Sequence, residues 1–403
     1  MASTFHGLEL GKRGLSVAQT NITTTGHNIA NANTEGYSRQ KVNSSATPSL
    51  DVWTTNQTGQ LGTGAQIDSI NRVRDRFLDA QHRDQSSTLG EWTVRQETLE
   101  QLEVAINEPS KTGLNAVMDE LNAAWQGVRN NPEDASAQAV LKERAGALVE
   151  TAQSMNKAMA SITADLTSQQ EIVLEEAENL MKQIEGLNVS IKKSSGQSND
   201  LQDKRDVLIG KLSEIIPVKV KDLKDGTAQV TLPEALEIGA DGSISLKSGA
   251  TVPGGKLAGI QKSLEAAAQY QTDLNRTVEG FADANGGLFA ANAIPNADYI
   301  TNLTVGTTVD PSAVNQAELE AAQGGFRSLV SKMGAKSQTA MNMVANNEAA
   351  LLATENRRQS VTGVSIDEEM ANLIMFQHAY SAAARFVTTT DEMLDTIINR
   401  MAN

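Results

Sequence analysis

Between Leu141 and Ile191 one line of residues recurs at intervals of three and four: Leu141, Ala145, Leu148, Ala152, Met155, Met159, Ile162, Leu166, Gln169, Val173, Ala177, Leu180, Ile184, Leu187 and Ile191. That spacing is a helical seam, and at 1.5 Å per residue it predicts a helix of roughly 75 Å. A stripe of this length cannot bury itself, so the chain must lay other helices along it. Asn131 is placed to cap the start, with Pro132 at the first position and Glu133 and Asp134 in the first turn, and Ser194-Ser195-Gly196 ends the run. A return helix from Asp200 carries Leu201, Leu208, Leu212 and Ile215 until Pro217 stops it, and Trp92, Leu99, Leu102 and Ile106 form a third seam. With 39% hydrophobic and 3% aromatic residues in 403, the seams must be thin and aliphatic, which favours a long bundle over a round core.

Two further seams lie at the ends. Leu8, Gly11, Leu15, Ala18, Ile22, Thr25, Ile29 and Ala32 alternate by three and four, weakened by Gly11, Gly14 and Gly26, each costing about 1 kcal/mol relative to Ala. Such a helix is expected to form only when a partner covers it, and to stop near Asn33, where Asn33-Thr34-Glu35-Gly36 accepts left-handed geometry. At the other end Ser365-Ile366-Asp367-Glu368 has the form of a capping box. The seam after it runs Ile366, Met370, Leu373, Gln377, Tyr380, Ala384, Val387, Asp391, Leu394, Ile398 and Met401. Gln377 and Asp391 are its polar members and read as register specifiers. Ile374, Phe376 and Ile397 lie off that line, so several helices are expected to meet this one.

After Pro217 the pattern shortens to Val218-Lys219-Val220 and Gln229-Val230-Thr231-Leu232, with Asp225-Gly226 and Asp241-Gly242 as hairpin signals. Helical patterning returns from Leu257 to Phe281 and from Ala317 to Leu352, around a Gly- and Asn-rich stretch holding Ile300, Leu303 and Val305. The expected fold is mainly α and elongated. Paired coiled-coil-like terminal helices occupy 1–62 and 357–403. A helical bundle occupies 63–216 and 256–356, and a small β-rich outer insertion spans 217–255, joined by 286–314.

A formal charge of −15 disfavours nucleic acid and anionic membranes as partners. The absence of cysteine excludes disulfides and thiolate chemistry. No basic and apolar leader precedes a cleavage site, and no run of about eighteen apolar residues occurs, so a soluble chain without a general-secretion signal is expected. His6, His27, His82 and His378 are scattered, which gives no metal pair on one helical face. Gly7, Gly11 and Lys12 are too close together for a phosphate loop, and Asp222 to Gly226 lacks alternating calcium ligands. Met155, Met159, Met341 and Met343 read as seam filler. Acidic clusters at Glu175-Glu176 and Asp367-Glu368-Glu369 read as solvated faces and caps. No catalytic residue, cofactor or metal is assigned.

The segment His27-Asn28-Ile29-Ala30-Asn31-Ala32-Asn33-Thr34-Glu35-Gly36-Tyr37-Ser38-Arg39-Gln40 closely resembles the N-terminal signature of the bacterial flagellar rod, hook and hook-associated proteins. Ser365 to Leu373 and Phe376 to Arg385 resemble the C-terminal signature of the same axial family. Tyr37-Ser38-Arg39-Gln40, Ile67-Asp68-Ser69-Ile70 and Arg76-Phe77-Leu78-Asp79, with the helical middle, are similar to its junction subunits between hook and filament. The resemblance covers about the first 215 residues and the last 45, and it implies a structural, non-enzymatic subunit exported unfolded by the flagellar type III system to the extracellular flagellum. The implied partners are copies of itself in a ring, the hook protein, the next junction protein and an export chaperone at the C-terminal helix. Leu8, Leu15, Ile22, Ile29, Asn31, Tyr37, Met370, Leu373, Gln377, Tyr380, Ala384, Val387, Leu394 and Ile398 are the expected assembly residues. The competing readings are an acidic coiled-coil adaptor, another rod or hook component, and an enzyme with a carboxylate site between Val218 and Ala250.

Overall fold

The computed structural model describes residues 5–53, 58–194, 198–239, 242–291, 299–307 and 309–396. The chain opens with α1 (His6–Ala30), followed by β1 (Gln40–Ala46), β2 (Leu50–Trp53), β3 (Thr58–Leu61) and β4 (Ala65–Arg72). Helices α2 (Arg76–Ile106), α3 (Leu114–Asn130), α4 (Ala135–Lys193) and α5 (Asn199–Ile215) come next, then β5 (Lys219–Asp222), β6 (Ala228–Thr231), β7 (Leu236–Ile238) and β8 (Ile244–Leu246). Helix α6 (Gly255–Asp283) leads to β9 (Phe289–Ala291), a short 3-10 turn and β10 (Leu303–Val305). The chain closes with α7 (Gln316–Thr362) and α8 (Ile366–Asp395). The architecture is mainly α and elongated, as the seams require.

The 59 residues of α4 tie two cores together. Its first half, from Leu141 to Leu166, packs with Leu99, Leu102 and Ile106 of α2, with α3, and with parts of α6 and α7. Its second half, through Ala177, Leu180 and Ile184, packs with Ile209, Leu212 and Ile215 of α5 and with the β5–β8 strands. The seam expected from the sequence is thus the buried line of α4, with Gln169 as its exposed interruption. The start of α4 differs from expectation. Asp134 is the N-cap, its carboxylate accepting from the Ser136 amide at 2.8 Å, while Asn131 closes α3 and Pro132 and Glu133 turn between the helices. An ionised cap one residue before the helix is the better acceptor for the exposed amides there.

Helix α3 carries a seam beyond those expected: Leu114, Met118, Leu121, Trp125 and Val128 are all buried. Its Trp125 indole donates to Asn285 Oδ1 at 2.6 Å, which satisfies the ring nitrogen inside the core. The segment between α1 and α2, read as part of a helical end, contains strands. There β1 pairs antiparallel with β4, from Gln40 opposite Arg72 to Ala46 opposite Ala65, and β2 pairs with β3 beyond it.

The two β stretches expected to form one outer unit sit on different cores. Strands β5 and β6 are joined through Asp225-Gly226, with Gly226 at φ +80°, and are pinned to α4 by Asn188, whose amide bonds both backbone groups of Ala228. The β9–β10 pair instead lies on the first half of α4. Gln153 donates to the Leu303 carbonyl at 3.1 Å, and Leu288, Phe289, Ile300 and Leu303 join the core built there by α2, α3 and α7. The hydrophobic spacing of Ile300 and Leu303 could not say which half of α4 it would meet.

Candidate functional site

Helices α1 and α8 run antiparallel, outside both cores. A methyl group added at Gly7 would lie 2.9 Å from Thr390 Cγ2, one at Gly11 2.5 Å from Val387 Cγ2, and one at Gly14 3.6 Å from Ala383 Cβ. The contact line of α1 is therefore Gly7, Gly11, Gly14 and buried Ala18, Thr25 and Asn28, its small residues. Glycines that weaken α1 as an isolated helix let α8 approach its backbone closely, and the packing offsets the propensity.

The large expected seam residues flank this line. Leu8, Leu15, Ile22 and Ile29 are half-buried, as are Leu373, Ala384 and Val387, while Leu394 is buried. Met370 and Tyr380 are exposed at 45% and 39%, and Gln377 is also exposed. Gln377 and Asp391, read as polar members of the seam, both face solvent in this chain. The buried polar residue of α8 is Glu369, one position from the expected line. Ile397, Ile398 and Met401 lie outside the described residues. Ile366, Ile374, Met375, Phe386 and Met393 are exposed with Met370 and Tyr380, so α8 carries far more apolar surface than α1 covers.

Below this pair the N-terminal signature folds into a polar joint. Asn31 ends α1 by donating its amide to the His27 carbonyl at 2.9 Å, so the helix stops without left-handed backbone at Asn33. The left-handed residue is Gly36, at φ +74°, where any Cβ would also collide with Val207 of α5. Asn28 Nδ2 donates to the Gln40 carbonyl at 2.9 Å and to Glu369 Oε2 at 3.0 Å. Its Oδ1 accepts from the Gln40 amide at 2.9 Å and from the Tyr37 hydroxyl at 2.8 Å. Burial, with Asp200, Asp203 and Glu369 nearby, pushes the Tyr37 phenol well above its ordinary range and keeps it a donor.

Arg39 ties the same corner to α8, with Nε 2.8 Å from Glu369 Oε1 and its second nitrogen 3.3 Å from Glu368. The capping box of α8 is half formed, Ser365 Oγ accepting from the Glu368 amide at 3.4 Å, while the Glu368 carboxylate turns to Arg39. On the other side Ser38 donates its amide and hydroxyl to Asp203 at 2.9 and 2.8 Å. Arg72 joins Asp203 and Asp206 at 2.7 and 2.8 Å, and Arg74 joins Asp206 and Asp79 at 2.6 and 2.8 Å. Burial would raise the Asp206 carboxyl, but Arg74, Arg72 and Arg205 hold it below the usual carboxylate range. Burial and Arg358 hold His82 below the usual imidazole range despite Glu355 and Asp79.

Of the expected site residues, Asn31 and Tyr37 fall in this joint, Leu8, Leu15, Ile22, Ile29, Leu373, Ala384, Val387 and Leu394 line the α1–α8 pair, Met370, Gln377 and Tyr380 are exposed, and Ile398 lies outside the described residues. Asn28, Ser38, Arg39, Asp203 and Glu369 were not selected from the sequence as site residues. Asn28, Ser38, Arg39 and Glu369 stand within the two segments that resemble the family signatures, but hydrophobic periodicity does not register polar residues of this kind, and Asp203 carries no such signal. Among the described residues no group of three or more His, Asp or Glu side chains is placed to hold a metal ion. No helix there is long and apolar enough to cross a membrane.

Three family models match the chain: "Flagella basal body rod protein" over residues 8–37, "Flagellar hook-associated protein FlgK helical domain" over 99–237, and "Flagellar basal body rod FlgEFG protein C-terminal" over 358–401. The flagellar hook-associated protein 1 of Bacillus subtilis (strain 168) is 29% identical over 502 aligned positions, spanning 100% of this chain and 99% of the relative. Because the chain has 403 residues, the excess positions are gaps in it. The flagellar hook-associated protein 1 of Escherichia coli (strain K12) is 36% identical over 74 residues, 18% of this chain and 14% of that one. A solved structure of the flagellar hook junction protein FlgK from Burkholderia pseudomallei is similar at 19% identity and TM-score 0.43, over 53% of this chain and 44% of that one.

Proposed function

The chain belongs to the flagellar hook-associated protein 1 family and is a structural component of the bacterial flagellum at the hook–filament junction, and we propose that it acts there through its α1–α8 pair. Copies form a ring by burying the apolar surface that α8 leaves exposed, between the hook protein on one side and the next junction protein on the other. The subunit carries no catalysis. It leaves the cell unfolded through the flagellar type III channel, with a chaperone holding the C-terminal helix, and folds at the distal end of the hook outside the cell. The terminal axial unit comprises 1–62 and 357–403, the bundle 63–216 and 256–356, and the outer strands 217–255.

The observation that carries this reading is the imbalance of α8. Seven large apolar side chains between Ile366 and Met393 stay 39% to 60% exposed on a helix whose opposite face is already packed. Covering each would contribute about 1 kcal/mol, enough in sum to drive head-to-tail assembly between copies.

Electron microscopy of a strain lacking the chain, with an assay of the medium for flagellin, tests the role. Hooks without filaments and flagellin lost to the medium are expected. Missing hooks would move the chain to the rod or hook, and normal filaments would overturn the assignment.

A further inference from the structure

In the joint between the α1–α8 pair and the bundle one guanidinium, that of Arg83, stands without an ion-pair partner among the described residues. On the joint's bundle side lie the half-buried guanidinium groups of Arg72, Arg74, Arg83 and Arg358, the buried one of Arg205, and the carboxylates of Asp79, Asp203, Asp206 and Glu355. Each acid is already engaged. Asp79 takes both Arg74 nitrogens at 2.8 and 3.0 Å, Asp206 takes Arg72, Arg74 and Arg205, Asp203 takes Arg72 and Ser38, and Glu355 takes Arg358 at 2.7 Å. Arg83 makes no hydrogen bond or ion pair among the described residues, and burial pushes its guanidinium down from the ordinary value against the opposing pull of Asp79, Asp206 and Asp84. His82 beside it is held neutral and adds no charge at pH 7.

Arg83 also sits where two surface grooves meet. One, of about 780 Å³, runs between β4, the start of α2, α5 and the β5–β6 hairpin, and the other, of about 210 Å³, lies toward Glu35 and Arg358. Six basic and three acidic side chains line the larger groove, in a protein whose net charge is −15. Lys221 stands on its rim, exposed and without an ion pair among the described residues. A small ion would leave most of such a groove empty.

We propose that this groove receives an acidic segment of a second copy of the chain, one carboxylate pairing with Arg83 and another with Lys221. This rests on the assembly role proposed above and adds to it the partner chemistry of one face. Charge complementarity selects the occupant: 49 acidic against 34 basic residues make another copy a rich source of unpaired carboxylates. Filling the groove gives Arg83 a direct partner, so the contact forms on assembly without opening the internal network.

The test uses the full-length chain with Arg83→Met. The purified variant should melt at the wild-type temperature or above it, because a half-buried unpaired charge has been removed. In a strain lacking the native chain, the fraction of hooks bearing filaments should fall at least tenfold relative to the wild-type chain supplied in the same way. Carbodiimide treatment of junctions assembled from mixed light and isotopically heavy copies should link Lys221 to a carboxylate of the other isotope. A lower melting temperature for Arg83→Met, normal filament numbers, no Lys221 link, a link within one copy, or a link to a different flagellar protein would each overturn the proposal. If the wild-type chain itself fails to restore filaments, the junction role fails instead.

Discussion

Asn28 and Glu369 stand 341 residues apart in sequence and 3.0 Å apart in the fold, the amide of one donating to the carboxylate of the other in a buried contact. Nothing apolar could do the same work at that point. Asn28 also acts as a substitute peptide group for Gln40, bonding both its N–H and its carbonyl where β1 begins, so one side chain fixes where α1, β1 and α8 meet. Glu369 is buried at the same place because Arg39 and Asn28 together satisfy its two oxygens.

Asn28→Asp should therefore be among the most damaging single changes in the chain. It keeps the acceptor but deletes both donated bonds and sets a second carboxylate against Glu369. A loss of about 2–4 kcal/mol is expected for the terminal pair. Hydrogen exchange should show lost protection in α1, β1 and α8, with α3, α4 and α6 unchanged. Uniform loss across the bundle, or none, would contradict the joint as described.

Gly11→Val tests the close approach of the two terminal helices. Its Cβ would fall 2.5 Å from Val387 Cγ2, so α8 must shift, at a cost of about 1–3 kcal/mol. The same change at Gly26, where an added Cβ meets nothing within 4 Å, should be neutral or slightly stabilising, since it improves helix propensity. Equal melting temperatures for the two variants would mean that the glycine line is not the contact.

Acid should weaken the joint in two separate windows. His82 has a lowered pKa in the folded chain, so below about pH 6.5 the unfolded chain takes up its proton first and stability falls as pH drops. Asp206 also has a lowered pKa, so its stabilisation is complete above the ordinary carboxylate pKa near 3.8 and disappears as pH falls below it. Urea midpoints measured from pH 7 to pH 3 should show a shallow decline and then a steep one. His82→Gln should remove the first alone, and Asp206→Asn should flatten the second while lowering stability at pH 7.

The long seam of α4 was legible because one helix repeats one spacing for fifty residues, and a single misplaced cap does not disturb it. The return helix, the seam of α2, the β5–β6 hairpin and the capping residue of α8 were legible for the same local reason. The α1–α8 contact was half legible. Periodicity assigned Gly11, Ala18 and Thr25 to it but gave equal rank to Leu8, Leu15 and Ile22, since hydrophobic spacing cannot show that close packing places the smallest residues at the centre. The joint was least legible. Ser38 and Asp203, or Asn28 and Glu369, are brought together only after the bundle has folded, and polar pairs at such separation leave no period in the sequence.

The exposed face of α8 yields the most direct test of assembly. Met370→Asp and Ile374→Asp place charges on side chains 45% and 51% exposed, away from the contact with α1, so the purified chain should keep its helicity and its melting temperature within about 0.5 kcal/mol of wild type. Leu394→Asp, at a buried position of the same helix, should lose stability instead. If α8 is the surface through which copies join, the first two variants will be exported and folded yet leave hooks bare, because an aspartate buried between helices costs several times what the lost apolar contact contributed. Filaments formed normally by both variants would show that this face stays open in the assembled junction, and the apolar surface would then need another occupant. Bare hooks with Leu394→Asp alone would place the requirement on folding of the terminal pair and not on the face it presents.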